Sequence, residues 1–291
     1  MPITFDHPYA AATGPWLKGN LHTHTTESDG PLPPQDTVAA YARLGYDFLT
    51  ISDHDLVTDP APLDPCGMVL IPGNEITAEG PHLLHVGARS VIAPLPERQA
   101  VIDAVNAEGG FAIVNHPNWE KDYNHCDQSL MMQWRDYAGI EIYNGVCRRV
   151  EGSPLATDRW DRLLTAGRRV WGYANDDPHR VTDYGVAWTM VCAERRDAAA
   201  ILDALRAGRC YASTGVEITA IRAEGPEIVV ETRNAQRMYL CTAYSRVPEV
   251  VEGPMLRWVV PEDFRFDYAR VECWGSGDAM AWTQPFFLKR T

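Results

Sequence analysis

The stretch WLKGNLHTHT, residues 16–25, joins a short apolar run directly to two histidines. Residues two apart on an extended segment project to the same side, so His22 and His24 can both reach one ion. Asp29 follows five residues later and adds a carboxylate. The stretch predicts a β-strand whose carboxyl end carries metal ligands.

Outward from this stretch, the first two thirds of the chain repeat the arrangement of a strand followed by a helix. Nearly continuous apolar runs predict strands that are covered on both faces: Trp16–Leu21, Phe48–Ser52, Met68–Ile71, Leu83–Gly87, Phe111–Asn115, Ile140–Tyr143, Val170–Ala174 and Ala187–Cys192. Helical patterns that end at glycines predict helices over Pro34–Leu44, Glu97–Glu108, Leu155–Ala166 and Asp197–Ala207. This alternation predicts an α/β domain with a parallel sheet, open or closed into a barrel.

The pattern changes after about Gly215. Residues 217–291 show no helical period and are typical of short strands separated by turns such as Gly253-Pro254. We therefore expect two domains, an α/β domain over residues 1–215 and a small all-β, sandwich-like domain over residues 216–291. The second domain contains no histidine, so it cannot supply an imidazole ligand.

Composition excludes several classes of function. The chain of 291 residues has 26 basic and 39 acidic residues, and its net charge of −13 disfavours a nucleic-acid partner. It has neither an apolar run long enough to span a membrane nor an N-terminal signal pattern. Seven cysteines without a C-x-x-C pair indicate reduced thiols and a cytoplasmic location. The oligomeric state stays open.

Histidines and carboxylates cluster where predicted strands end, which is where α/β folds place their chemistry. The candidate ligands are His22, His24, Asp29, His54, Glu75, His85, His116, Asp177 and His179. Neutral imidazoles together with carboxylates suit Zn²⁺, Mn²⁺ or Fe²⁺. Nine ligands exceed the four of one structural zinc ion, so the set predicts more than one ion.

Six separated motifs occur in one order along the chain: His22-Thr23-His24, Asp53-His54, Gly73-Asn74-Glu75, His85, Asn115-His116-Pro117 and Asp177-Pro178-His179. With these motifs the chain resembles the polymerase and histidinol phosphatase (PHP) superfamily over about residues 16–215. Further stretches, Gly139–Asn144, Gly208–Gly215 and Ala281–Pro285, resemble a branch that includes carbaryl-hydrolase-like proteins. The resemblance implies a distorted (βα)7 barrel that holds two or three divalent metal ions.

The resemblance also implies how the ligands are shared among the ions. The first ion is bound by His22, His24 and Asp177, the second by Glu75, His85 and His116, with Glu75 as the bridge, and the third by Asp29, His54 and His179. His82 competes with His85 for the second ion. His85 is preferred because it directly precedes Val86-Gly87, as the family ligand precedes its apolar-glycine pair, and His82 then becomes a rim or substrate residue.

Other residues near these motifs are candidates for substrate binding. Arg148 and Arg180 can clamp a phosphate or carboxylate, or they can be solvated surface residues. Trp119 can form a pocket wall or be a buried aromatic residue, and Asn144 lies in the loop between Tyr143 and Arg148. Glu141 is either functional or part of an internal ion pair.

These features favour a metal-dependent phosphoesterase of small phosphorylated molecules. A metal-bridging hydroxide would attack phosphorus, with Glu75, Asp177 and His179 as catalytic residues. Three alternatives remain: an amide, ester or carbamate hydrolase with the same site, a nuclease, and a non-catalytic metal-binding module. The net charge of −13 and the absence of a basic stripe argue against the nuclease, and the complete ligand set argues against the binding module.

Overall fold

The structure, a computed structural model, describes residues 3–290, which contain five α-helices and 18 strands. The helices are α1 (Pro34–Arg43), α2 (Arg98–Ala107), α3 (Gln128–Gln133), α4 (Thr157–Thr165) and α5 (Ala198–Arg206). The strands of the first part are β1 (Ile3–Asp6), β2 (Trp16–Asn20), β3 (Phe48–Ile51), β4 (Val69–Ile76), β5 (Leu83–Val86), β6 (Phe111–Val114), β7 (Gly139–Asn144), β8 (Trp171–Asn175), β9 (Trp188–Cys192) and β10 (Cys210–Ser213). The remaining strands are β11 (Ile218–Glu224), β12 (Glu227–Thr232), β13 (Arg237–Thr242), β14 (Arg246–Glu252), β15 (Met255–Val259), β16 (Tyr268–Trp274), β17 (Met280–Thr283) and β18 (Phe286–Arg290).

The four predicted helices form, with ends within two residues of the predicted bounds. Acidic residues cap two of them: the carboxylate of Asp197 accepts the Ala200 N–H at 2.8 Å, and that of Glu97 accepts the Gln99 N–H. The short helix α3 was not expected, because six residues are too few to show a helical period. No helix of residues 3–290 has the length and apolar character needed to cross a membrane.

The central sheet is mixed rather than purely parallel. Strands β2, β3 and β4 run parallel, as do β6, β7 and β8, but β5 is antiparallel to both of its neighbours. A parallel pair needs a long crossover, whereas only residues 77–82 separate β4 from β5, so these two strands form a hairpin. Strand β9 is antiparallel to β2 and β10.

The sheet curls so that the ends of β2 and β8 meet, yet it does not close into the expected (βα)7 barrel. Within residues 3–290 no backbone ladder joins β8 to β2 or β9. Single hydrogen bonds connect the two ends instead: the Leu21 N–H donates to Asn175 Oδ1 at 2.9 Å, and the Asp177 N–H donates to the His22 carbonyl at 3.1 Å. These bonds bring the residues after β2 and β8 together.

The C-terminal residues form an all-β part that continues the main sheet. Strands β13, β14, β16 and β17 join that sheet where β17 pairs with β10, and β18 pairs with β1. Strands β11, β12 and β15 form a separate three-stranded sheet. Buried side chains of both sheets, such as Trp258 and Val271, share one apolar core. The arrangement is sandwich-like, but one of its layers also belongs to the central sheet.

A buried ion pair also links the all-β part to helix α4. Arg270 Nε and Nη2 donate to Asp161 Oδ1 and Oδ2 at 2.8 and 2.7 Å. The Asp161 carboxylate also accepts the hydroxyls of Tyr268 and Ser245 at 2.8 and 2.6 Å. Both charged side chains are at most 1% exposed, and Arg270 Nη1 also donates to Glu272 Oε1 at 2.7 Å, so Asp161 depends on Arg270 for its neutralisation.

Candidate metal centre

Ligand side chains from five strands meet at one end of the central sheet. His22 and His24 follow β2, His54 follows β3, Glu75 lies in β4, His116 follows β6, and Asp177 and His179 follow β8. With His82, Asp29 and neighbouring residues, most of them line one pocket of about 290 Å³. The predicted convergence of strand ends therefore occurs, and it creates a concave site.

The carboxylate of Glu75 lies at the centre of this site and is 1% exposed. Its Oε1 is 3.2 Å from His116 Nε2 and 3.1 Å from His82 Nδ1. Its Oε2 is 2.9 Å from His54 Nδ1 and 3.5 Å from His24 Nε2. One carboxylate thus faces imidazoles on both sides, which is the position of a bridging ligand.

His22, His24 and Asp177 form a first ligand group, whose atoms all lie within 4.8 Å of one another. Asp177 Oδ1 is 3.3 Å from His22 Nε2 and 3.0 Å from His24 Nε2. His22 Nδ1 donates to Glu141 Oε1 at 2.8 Å, which directs its Nε2 toward the group. The group is completely buried apart from a small part of Asp177.

A second group lies at the mouth of the pocket and contains His24, His54 and His179. The Asp29 carboxylate is 3.4 Å from His54 Nε2 and 3.2 Å from His179 Nε2. The side chain of Asp29 is 53% exposed. The structure therefore brings Asp29, His54 and His179 together, as the resemblance implied, at the solvent side of the cluster.

His85, unlike the other expected ligands, does not reach the cluster. It is completely buried, and its Nε2 lies 3.9 Å from Glu108 Oε2 on the side of the sheet that faces away from the pocket. His82 lies beside Glu75 instead and forms a possible ligand group with His116 and His125. Side chains alternate between the two faces of a strand, so residues 82 and 85 point to opposite faces. The preference for His85 over His82 as the ligand is not supported by this geometry.

His125, which no sequence motif singled out, approaches the same cluster. Its Nε2 accepts the His82 N–H at 3.1 Å, and its Nδ1 donates to Glu120 Oε1 at 2.8 Å. Both ring nitrogens are therefore engaged. His125 thus holds the backbone of His82, and an ion bound by His82, His116 and His125 would replace one of these two contacts.

Glu141 supports the ligands from below. Its carboxylate accepts His22 Nδ1–H, the His116 N–H at 2.9 Å, and the side-chain amides of Asn144 and Asn175 at 2.9 Å each. Of the two alternatives the sequence left open, the contacts favour the functional one, because Glu141 orients two ligands. It lies within β7, near the strand end where the sequence places the other carboxylates, and that position was the signal for it.

Two ligands adopt backbone conformations that are rare for their residue types. His116 has φ of 25° and Asp177 has φ of 55°, both in the left-handed region. Such conformations persist only where surrounding contacts enforce them. The Glu141 contact with the His116 N–H and the His22 contact with the Asp177 N–H are two such constraints.

The electrostatics couple the histidines to the carboxylates. Burial lowers the pKa of His22, but the charges of Asp177, Glu75 and Glu141 outweigh it and hold that pKa well above the usual range. Burial raises the pKa of Glu75, and the charges of His22 and His82 outweigh it in turn, so that pKa falls well below its usual range. Burial of His24 outweighs the effect of the neighbouring carboxylates and lowers its pKa.

The donor set fits divalent cations. Asp177 Oδ1 and His54 Nδ1 are buried and make no hydrogen bond of good geometry within residues 3–290, although they lie 3.0 Å from His24 Nε2 and 2.9 Å from Glu75 Oε2. His22 Nε2 and His24 Nε2 face each other at 3.1 Å beside that same Asp177 oxygen. Lone pairs that converge at such distances repel one another unless a cation lies among them. Imidazole nitrogen with carboxylate oxygen is the ligand mixture of Zn²⁺, Mn²⁺ or Fe²⁺.

The predicted substrate residues divide into two groups. Trp119 and His82 line the pocket. Arg148 and Arg180 are exposed and outside the lining, and Arg148 Nη2 donates to Asp278 at 2.8 Å. Asn144 is buried and donates to Glu141 and Asp177, so it orients carboxylates rather than substrate.

Sequence reasoning missed several pocket residues. Arg149 lines the pocket in place of Arg148, and its Nε and Nη2 donate to the two Asp183 oxygens at 2.9 and 2.6 Å. Val146, Cys147 and Val150 complete the wall. Burial raises the pKa of the Cys147 thiol, which keeps it protonated and agrees with the absence of a nearby base. Arg148 and Arg149 are adjacent residues of the same type, and only the direction of each side chain decides which one lines the pocket. The sequence contains no pattern that predicts this direction.

Arg98 holds the loop that precedes His82. Its guanidinium is buried and donates to the carbonyls of Pro81, Leu95, Thr77, Ala78 and Gly80 at 2.8 to 3.0 Å. Nε and Nη1 each contact one carbonyl and Nη2 contacts three, so the guanidinium is held by backbone carbonyls without a carboxylate partner. The β4–β5 loop is thereby tied to the first turn of α2, and His82 is presented to Glu75.

No protein-family model matches the chain, and no curated protein matches it. Solved structures do. A two-domain protein from Bacteroides vulgatus, which contains a predicted PHP-like metal-dependent phosphoesterase, shares 20% sequence identity with a TM-score of 0.56, over 89% of this chain and 90% of that chain.

Two other solved structures are more distant. PsfC from Pseudomonas syringae shares 13% identity with a TM-score of 0.46, over 64% of this chain and 88% of that chain. An amidohydrolase from Chromobacterium violaceum, solved with bound sulfate and no metal, shares 14% identity with a TM-score of 0.43, over 55% and 87%. Of these three structures, the Bacteroides protein matches along nearly the whole length of both chains, and this chain shares its fold.

Proposed function

We propose that this protein is a PHP-superfamily hydrolase that cleaves phosphate esters of small molecules with two or three divalent ions, Mn, Fe or Zn. The observation that carries the proposal is the position of Glu75, whose two oxygens face separate groups of histidines in one pocket. The PHP-like fold supports it, but the fold alone does not assign an activity.

The residues that would hold the ions follow from the contacts. His22, His24 and Asp177 would hold the first, Glu75, His82 and His116 the second, and Asp29, His54 and His179 the third. Such ions supply an activated water and neutralise charge on phosphoryl oxygens. Glu75, Asp177 and His179 are the proposed catalytic residues, because they touch the ions and line the pocket. Glu141 and Asn144 hold His22 and Asp177 in position.

Charge supports an anionic substrate. Asp29, Glu75 and Asp177 bring three negative charges to the pocket lining, and two divalent ions bring four positive charges, so the loaded site attracts an anion although the chain is acidic. The pocket of about 290 Å³ suits a small molecule.

For the division into residues 1–215 and 216–291, we propose that the second part stabilises the first, since it contains no histidine.

The test is a hydrolysis screen of the manganese-, iron- or zinc-loaded full chain. Sugar phosphates, nucleotides, cyclic phosphates and carbamates are compared, with chelator-treated protein and Glu75→Gln as inactive references. Glu108→Gln is the matched control, because this carboxylate lies outside the cluster. We expect phosphoester hydrolysis that is lost with chelator and in Glu75→Gln. Hydrolysis confined to carbamates or amides would support the amide, ester or carbamate hydrolase instead. Activity in Glu75→Gln equal to that of the wild type would contradict the assignment of Glu75 to the catalytic site.

A further inference from the structure

We propose that the pocket selects substrates with a single phosphate group and an apolar, aromatic-sized remote group, that is, esters of phosphate with a hydrophobic alcohol. The inference rests on the proposed function, because it takes the phosphoryl group to lie at the ligand cluster. It concerns another part of the same pocket, for which the sequence offered only Trp119 and polar residues as candidates.

That opposite wall is apolar. Apart from the candidate ligands, the lining consists of Trp119, Val146, Cys147, Arg149 and Val150. The Trp119 ring lies 5.1 Å from the His116 ring and 5.7 Å from the His82 ring, centroid to centroid. An aromatic face therefore begins where the ligand cluster ends, within reach of a substituent on a bound phosphoryl group.

The one cation in this wall is already neutralised. Arg149 donates through Nε and Nη2 to both oxygens of Asp183. Asp183 also accepts the N–H groups of His179 and Arg180 at 3.0 and 2.8 Å, so it is held in place. A second phosphate or carboxylate on the substrate would meet no free positive charge there. The wall thus disfavours bisphosphates and nucleoside polyphosphates.

The wall is also preformed. The Ser153 N–H donates to the Asn118 carbonyl at 2.9 Å, and Trp119 forms an isolated bridge with Gly152. Gly152 has φ of 96°, and a Cβ there would lie 2.3 Å from the Asn118 carbonyl oxygen. This close approach joins the loop of Trp119 to the loop of Val146 and Val150. A rigid apolar wall binds an apolar group without an ordering cost.

The reaction itself is ordinary hydrolysis. Water adds across the ester P–O bond, its oxygen remains on phosphorus, and a proton passes to the released alcohol. Burial of a phenyl ring against this wall predicts a preference of about ten-fold to one hundred-fold over a methyl group.

Binding and turnover test the inference separately. Calorimetry on the metal-loaded full chain compares benzylphosphonate with methylphosphonate, whose C–P bonds are not hydrolysed. Steady-state kinetics compare benzyl phosphate with glycerol phosphate and with a sugar bisphosphate. Both alcohols are alkyl leaving groups, so ring binding rather than leaving-group acidity dominates the comparison. We expect benzylphosphonate to bind at least about ten-fold more tightly than methylphosphonate.

Variants of the wall identify the residues responsible. Trp119→Ala and Val150→Asp should each reduce the benzyl-to-methyl affinity ratio by about ten-fold, and Trp119→Phe should retain most of it. Trp274→Ala, a tryptophan outside the lining, is the matched control. Equal affinity for the two phosphonates, or a ratio unchanged in Trp119→Ala, would overturn the inference while leaving phosphoester hydrolysis intact. Benzyl selectivity in binding without hydrolysis of any phosphoester would support the wall and contradict the proposed function.

Discussion

Glu75 Oε1 lies 3.1 Å from His82 Nδ1, whereas His85, three residues further on, has both ring nitrogens buried without a hydrogen-bond partner within residues 3–290. Burial lowers the pKa of His85 to about 4, so its ring is neutral. The two histidines therefore have different environments. His82 contacts the carboxylate of Glu75, whereas His85 is buried on the opposite face of the sheet.

His82→Asn should therefore remove about one ion per chain and reduce phosphoester hydrolysis by about 100-fold or more, because an ion clamp contributes several kcal/mol to the transition state. His85→Asn is the matched change on the other face of β5 and should keep wild-type metal content. Elemental analysis and kcat/KM decide between the two. Full metal content in His82→Asn, with loss in His85→Asn, would return the ligand role to His85.

Glu141→Gln should weaken metal binding by about 10- to 100-fold, the usual effect of losing a residue that orients ligands. All of the groups that Glu141 contacts are donors, and glutamine would place an NH₂ group against one of them. Competition with a fluorescent chelator measures the affinity, and Glu108→Gln again provides the control. An unchanged affinity would show that Glu141 is a structural ion-pair partner only.

Removal of metal should create a pH dependence of stability. Burial lowers the pKa of His54 and His179, but their hydrogen bonds to Asp29 outweigh it and raise the pKa values to about 10 and about 9. The folded metal-free protein then holds protons that the unfolded chain has lost above about pH 6.5. Its unfolding free energy should therefore fall as pH rises from about 6.5 to about 10.

Urea denaturation at several pH values, with chelator and with metal, checks this expectation. Ions would replace those protons, so the metal-loaded protein should lose less stability over the same range. Asp29→Asn removes the shared acceptor and should flatten the profile of the metal-free protein. A metal-free profile that rises with pH would contradict the assigned contacts.

The link between α4 and the all-β part can be tested by charge replacement. Arg270→Met should lower the unfolding free energy by about 3–5 kcal/mol, since it leaves the buried Asp161 carboxylate without its partner. The double variant Asp161→Leu/Arg270→Met removes both charges and should recover much of that loss. Thermal and urea unfolding of the full chain measure both. A loss in the double variant as large as the sum of the single losses would mean that the pair is not coupled.

Sequence patterns indicated where the candidate ligands lie because most of them come at or just after the end of an apolar run. The stretch HTH at residues 22–24 shows this directly, since its two histidines follow the apolar run of β2. They did not separate His82 from His85, because β5 reads LLHV, an apolar run in which the alternation of faces is hidden. The antiparallel direction of β5 depends on the short β4–β5 loop.

Other features were beyond local patterns. The Asp161–Arg270 pair joins residues 109 apart in sequence, and no periodicity reports such a contact. Strand β14 carries the exposed sequence RVPEVVE, in which charged residues and a proline interrupt the valines, so it lacks a continuous apolar run. The sheet stays open because single side-chain and backbone bonds, rather than a ladder, join β2 to β8.

The central claim is that Glu75 bridges at least two divalent ions that the enzyme needs for phosphoester hydrolysis. The most direct measurement is the number of ions per chain, by elemental analysis of full-length protein purified without chelator, in the wild type and in Glu75→Gln. The account predicts two or three ions of Mn, Fe or Zn per wild-type chain, with a loss of ions and phosphoester hydrolysis together in Glu75→Gln. At most one ion per wild-type chain after metal supplementation, or an unchanged ion count in Glu75→Gln, would contradict it.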